Sequence, residues 1–146
     1  MAIWQFECKI IPKRDNIGDM NSDEIISWRD VKCSLSDISF LPHIKSWSNN
    51  IQQFGELEKD CLEFVFDGTI LEEITCRLDL RTFSVVTFKN ILEYVNKINA
   101  VFWYGEKMYF PVEEDILIAI IESTAYRFCS NPKDYLDEIR KNSYHK

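Results

Sequence analysis

The sequence predicts an α+β fold, a mostly antiparallel sheet of about five strands with helices packed on one face, built as one domain over residues 1–146. Three observations predict it. Residues 3–11 alternate, with Trp4, Phe6, Cys8 and Ile10 on one side and Gln5, Glu7 and Lys9 on the other. Residues 61–81 form two apolar-patterned runs around Asp67-Gly68, the mark of a β-hairpin. From residue 84 the period becomes helical.

The first strand ends at Pro12, and a polar loop over 13–21 leads to Ser22, the expected N-cap of a short helix carrying Trp28. Residues 34–60 read as irregular, with turns at Ser36-Asp37 and Leu41-Pro42 and one short helix suggested by the spacing of Trp47, Ile51 and Phe54. In the following hairpin, a two-residue Asp67-Gly68 turn would split the apolar set between the two faces. The preferred three-residue loop, Phe66-Asp67-Gly68, places Leu62, Phe64, Ile70, Ile74, Cys76, Leu78 and Leu80 together, and a bulge near Glu72-Glu73 is the alternative.

Val85, Phe88, Leu92, Val95 and Ile98 mark the buried stripe of a helix over 84–99. Residues 101–104 and 108–110 flank Gly105-Glu106-Lys107 as a second hairpin, closed by Pro111. Glu113, Glu114 and Asp115 suit a helix N-terminus, and residues 116–128 continue as one apolar helix, expected to be the most buried. Pro132 opens a last amphipathic helix to Arg140, with Tyr135, Leu136 and Ile139 inward and the final residues frayed.

Composition narrows the function. With 46% hydrophobic and 14% aromatic residues, the chain is too apolar for disorder. No basic region leads into an apolar leader, and the apolar run 116–121 is too short to span a bilayer, so a cytoplasmic protein without membrane contact is expected. The five cysteines are odd in number and scattered, which suits free thiols rather than disulfides or zinc. A net charge of -7 opposes direct binding of nucleic acid and suits a basic protein partner.

Catalytic signals are sparse. The two histidines, His43 and His145, have no nucleophile or metal-ligand companions nearby in sequence, and no phosphate loop, nucleophile elbow, zinc or calcium pattern is present. No cofactor is implied. Glu56, Glu58 and Asp60 read either as an acid cluster or as a solvated loop, and Arg77, Asp79 and Arg81 as a cross-strand charge ladder. Trp28 and Trp47 lie outside the clear strands, where each is either a partner anchor or a cap on the sheet. Trp4 falls in the apolar stripe and reads as core, whereas aromatics on both sides of Trp103 leave it unoriented.

Ile3-Trp4-Gln5-Phe6, Ser46-Trp47, Cys76-Arg77-Leu78-Asp79-Leu80-Arg81, Glu122-Ser123-Thr124-Ala125, Asn131-Pro132 and Tyr135-Leu136 together give the chain a layout. That layout resembles the small immunity proteins of bacterial polymorphic-toxin and contact-dependent growth-inhibition systems. The resemblance implies a non-enzymatic, stoichiometric inhibitor that covers the active site of a cognate toxin domain, often a basic nuclease. The expected contacts are then Asp15, Asp19, Asp23, Glu56, Glu58 and Asp60, with Trp28 and Trp47 as aromatic anchors. Two other classes stay open: a ligand-binding module or carboxylate enzyme with a pocket between sheet and helices, and a structural subunit with an exposed apolar patch.

Overall fold

The computed structural model describes residues 2–15 and 17–130. Among them, seven strands form one antiparallel sheet: β1 (Gln5–Pro12), β2 (His43–Ile44), β3 (Ile51–Phe54), β4 (Cys61–Asp67), β5 (Ile70–Asp79), β6 (Ala100–Tyr104) and β7 (Lys107–Tyr109). Their spatial order is β2-β3-β4-β5-β1-β6-β7. Four α-helices accompany them: α1 (Ser22–Ile26), α2 (Val85–Lys97), α3 (Glu113–Glu122) and α4 (Thr124–Ser130). The α+β class and the antiparallel sheet are as expected; the sheet is wider than the five strands read from the sequence.

The two additional strands come from the stretch expected to be irregular. Residues 51–54 are a strand, not a helix, because their backbone pairs with β4 through Ile51↔Val65 and Phe54↔Leu62. Gly55 then turns the chain at a φ of +88°, and a Cβ there would lie 2.0 Å from the Asp60 carbonyl oxygen. Only glycine fits so close to another backbone segment at that φ.

The central hairpin has the bulge and not the three-residue loop, and Ile70, expected with the apolar set, is exposed. Asp67 pairs with Ile70, so the connection is the two-residue turn Gly68-Thr69, and the register shifts between Val65 and Phe66. Glu72 is the extra residue, since Val65 pairs with Glu73 and Phe66 with Leu71. The shift places Leu62 opposite Cys76 and Phe64 opposite Ile74, which unites the apolar set on one face. The Glu72 carbonyl is released from the ladder and accepts the Trp28 amide at 2.9 Å.

That face carries the main core. Phe6, Ile10, Leu62, Phe64, Ile74, Leu78 and Phe102 pack beneath Phe88, Ile91, Leu92 and Val95 of α2 and Ile116, Ala119 and Ile120 of α3. The segment 31–41 adds Ile38 together with half-buried Leu35, Phe40 and Leu41. Ser84 caps α2 by accepting the Thr87 amide, as its sequence position suggests. Its first residue, Val85, is 54% exposed and stands outside the expected stripe. Cys8, Cys61 and Cys76 are buried free thiols, matching their reading as small apolar residues.

Several expected elements need correction. The helix after residue 113 is two helices, because Ser123 is extended (φ -73°, ψ 153°) and its hydroxyl accepts the Tyr126 amide while donating to the Ile120 carbonyl. A serine that satisfies the end of one helix and the start of the next favours a break that periodicity does not register. Nor is this helical stretch the most buried, since Ile118 and Ile121 are half exposed. Asn21, rather than Ser22, caps α1. The helix expected over 132–140 and His145 lie outside the described residues.

Helices do not all share one side. Ile11 and Val101 are paired and point away from the main core, and Ile25 of α1 packs on them with half-buried Ile17, Met20, Ile26 and Trp103. Trp103 therefore belongs to the second face of the sheet. Immediately after α1, Trp28 crosses into the main core, where its indole donates to the Ile10 carbonyl at 2.7 Å.

Candidate functional site

The second face of the sheet can be read row by row from the pairing register. Glu7 lies opposite Arg77, Lys9 and Glu63 flank Thr75, and Val65 sits between Ile51 and Glu73. All of these residues point away from the α2 and α3 side, since their strand neighbours Phe6, Cys8, Leu62, Phe64, Ile74 and Cys76 are in the main core.

Both ends of this face are closed. At one end, α1 and the short helical turn before it cover Ile11 and Val101. At the other, the loop over 55–60 folds back across the start of β1. The Gln5 side-chain amide donates to the Leu57 and Lys59 carbonyls, both at 2.8 Å, while its oxygen accepts the Ala2 amide at 3.0 Å. Gln5 is consequently buried with its polar atoms satisfied.

Nearby, the Trp4 indole donates to the Glu58 carbonyl, and the Arg81 guanidinium stacks over its ring at 3.9 Å. Trp4 is half-buried and precedes the strand, so it caps the sheet's end instead of filling the core. Asp60 and Asp79 complete this closure: Asp60 accepts the Asp79 amide at 2.7 Å, and Asp79 accepts from the backbone and side chain of Arg81. Burial raises the Asp60 pKa above the usual carboxylate range, with the Asp79 amide acting against it. Burial pushes Asp79 the same way, but the bonds from Arg81 outweigh it and hold the carboxyl below that range.

Between the two closures lies a cleft of about 590 Å³ floored by the charged rows. Arg77 stands at its centre. Its Nε donates to Glu7 Oε1 at 2.7 Å, and its Nη1 donates to Glu63 Oε1. Burial works against the Arg77 charge, yet the hydrogen bonds and attraction of Glu63 and Glu7 raise its pKa overall. Lys9 bonds Thr75 at 2.8 Å and reaches Glu73 Oε1 at 3.4 Å. Ile51 and Val65 form an apolar strip beside these charges, and Trp47, 78% exposed, stands at the rim.

The structure separates the residues that the sequence singled out. Asp15, Asp19 and Asp23 are exposed around α1, beyond one closed end. Glu56 is exposed in the loop at the other end and pairs with Lys59 at 3.0 Å. Glu58 and Trp47 do line the cleft. Asp60 is a structural acceptor inside the loop closure. Trp28 is 0% exposed, so its ring is unavailable to a partner and the anchor reading of that residue is corrected.

Glu7, Lys9, Glu63, Glu73 and Thr75 were not singled out, although alternation already put Glu7 and Lys9 on the polar side of β1. Charged residues at two-residue spacing on three strands that later prove adjacent were the available signal. Arg77 was read as part of a charge ladder, and it is one, with Glu7 and Glu63; Asp79 and Arg81 instead brace the strand's end.

Among the described residues, no group of three or more His, Cys, Asp or Glu side chains is placed to hold a metal ion, and no helix is long and apolar enough to cross a membrane. Comparison with protein families, characterised proteins and solved structures finds no match to the chain.

Proposed function

We propose that this is a partner-binding protein of the immunity type, a stoichiometric inhibitor that docks on a basic toxin domain and blocks its active site through the open face of the sheet. The observation that carries the reading is the face itself. Among the described residues, a strip of fixed charges lies uncovered between two closed ends, and a tryptophan with 78% of its surface exposed stands beside it. A bare indole next to pre-positioned charges has the composition of an interface centre, where aromatic anchors and desolvated ion pairs determine affinity. The net charge of -7 supports a cationic partner, because opposite potentials accelerate and orient encounter.

The test is co-expression with the C-terminal domain of the protein encoded immediately upstream, first shown to be toxic alone, scored by growth rescue and co-purification. Rescue with a one-to-one complex supports the proposal, and loss of both on combining Trp47→Ala with Glu73→Lys places the interface on this face. Toxicity that persists in the presence of the intact protein, with no complex, removes the immunity reading. A second reading, a small-ligand module, is favoured by the cleft volume of about 590 Å³, which lies within the range of ligand pockets. It differs from the expected pocket in position, because this cleft is on the side of the sheet away from α2 and α3.

A further inference from the structure

We infer that the cleft is a receptor for a guanidinium group, and that the partner inserts an arginine side chain along Ile51 and Val65, stacked on Trp47 and held by the carboxylates of Glu73 and Glu63. This rests on the partner-binding reading above and adds the chemical identity of the anchor. The first argument is charge. Four carboxylates, from Glu7, Glu58, Glu63 and Glu73, line the cleft against two cations, Lys9 and Arg77. The resident cations leave two negative charges unmatched, a field that attracts a third cation and that it would halve.

The second argument is valence. The bonds that Arg77 and Lys9 make to carboxylates fall on Oε1 of Glu7, Glu63 and Glu73. Each carboxylate can accept at both oxygens, so Oε2 of each keeps acceptor capacity for a donor from outside. Glu73 is the least committed of the three: Lys9 approaches it at 3.4 Å while bonding Thr75 at 2.8 Å. The third argument is shape. An apolar strip leads to an exposed indole, which suits a long aliphatic stem ending in a flat cation. Arginine meets that description better than lysine, because guanidinium stacks on aromatic faces and donates in a planar fork to carboxylate oxygens.

The full chain, labelled with ¹⁵N, would be titrated with a blocked Gly-Arg-Gly-Arg-Gly peptide and with its citrulline counterpart, which keeps the shape and removes the charge. The Trp47 indole N–H resonance, identified by its loss in Trp47→Phe, is the readout. The expected result is a saturable shift with the arginine peptide only, weakened about tenfold by Glu73→Gln. Equal shifts from both peptides, or none from either, would overturn the inference. Growth rescue without peptide binding would leave the immunity reading standing and remove the arginine anchor; peptide binding without rescue would do the reverse.

Discussion

Replacing Arg77 with methionine removes the one cation shared by Glu7 and Glu63 while keeping most of the aliphatic volume. The Glu63 side chain is only 8% exposed and Arg77 17%, so neither is well screened by water. Breaking one partner out of a buried ion pair leaves a charge that the protein no longer compensates, typically costing about 3–5 kcal/mol. Against a usual domain stability of about 5–15 kcal/mol, that is a large fraction. Urea unfolding at neutral pH should therefore show a much lower midpoint with an unchanged slope. Adding Glu63→Gln removes the abandoned charge, so the double variant should recover at least about 1 kcal/mol relative to Arg77→Met alone. An Arg77→Met loss below about 1 kcal/mol, or a double variant no more stable than the single one, would refute the claim that Arg77 is needed to compensate Glu63.

Gly55→Ala should destabilise the fold by more than about 2 kcal/mol, because the strained φ and the 2.0 Å approach to Asp60 act together; a thermal melt within experimental error of the parent would contradict this. Trp28→Phe should cost about 2 kcal/mol or more by leaving the Ile10 carbonyl without its donor and a void beside it, whereas Trp47→Ala should stay within about 0.5 kcal/mol because its ring is in solvent. Comparable losses at the two sites would contradict the burial difference. The raised Asp60 pKa means that ionising this group opposes folding: the penalty is absent below the ordinary aspartate range and grows as pH rises through the folded-state value. Asp60→Asn keeps an oxygen for the Asp79 amide, so it should match the parent in acid and be more stable at neutral pH, as measured by denaturation across pH.

Local patterning revealed the elements whose burial alternates cleanly. β1 is legible because Phe6, Cys8 and Ile10 are buried while Glu7 and Lys9 are only partly so. The hairpin of β4 and β5 is legible from its two apolar-patterned runs, although Cys61 to Phe64 are all buried; the bulge at Glu72 falls where the sequence offers it as the alternative to a three-residue loop. β3 was missed because a four-residue strand owes its identity to pairing with β4, and Trp47, Ile51 and Phe54 happen to mimic helical spacing. The break at Ser123 was missed because an apolar period says nothing of a serine able to cap two helices at once. Trp47 is legible as a candidate because it lies outside the clear strands. Glu7, Glu63 and Glu73 were passed over because each alone looks like an ordinary solvent-facing strand residue, and only the strand order makes them neighbours.

This difference bears on where recognition sits. The loop acids Asp15, Asp19 and Asp23 are exposed, and in the proposed docking they would add long-range attraction, which depends on net charge more than on position. Side chains on central strands are held differently. Glu63 and Arg77 are flanked by paired backbone and by each other, so little rotamer freedom remains to be lost when a partner arrives. The Gln5 and Asp60 bonds fix the loop that walls one side of the cleft. A site mounted this way is organised by the contacts that hold the strands and the loop, while Trp47 and Glu58 at its edge are exposed. On the docking proposed above, attraction would reside in the loops and discrimination in the strands, the division expected of a protein that finds a partner quickly and rejects other basic surfaces.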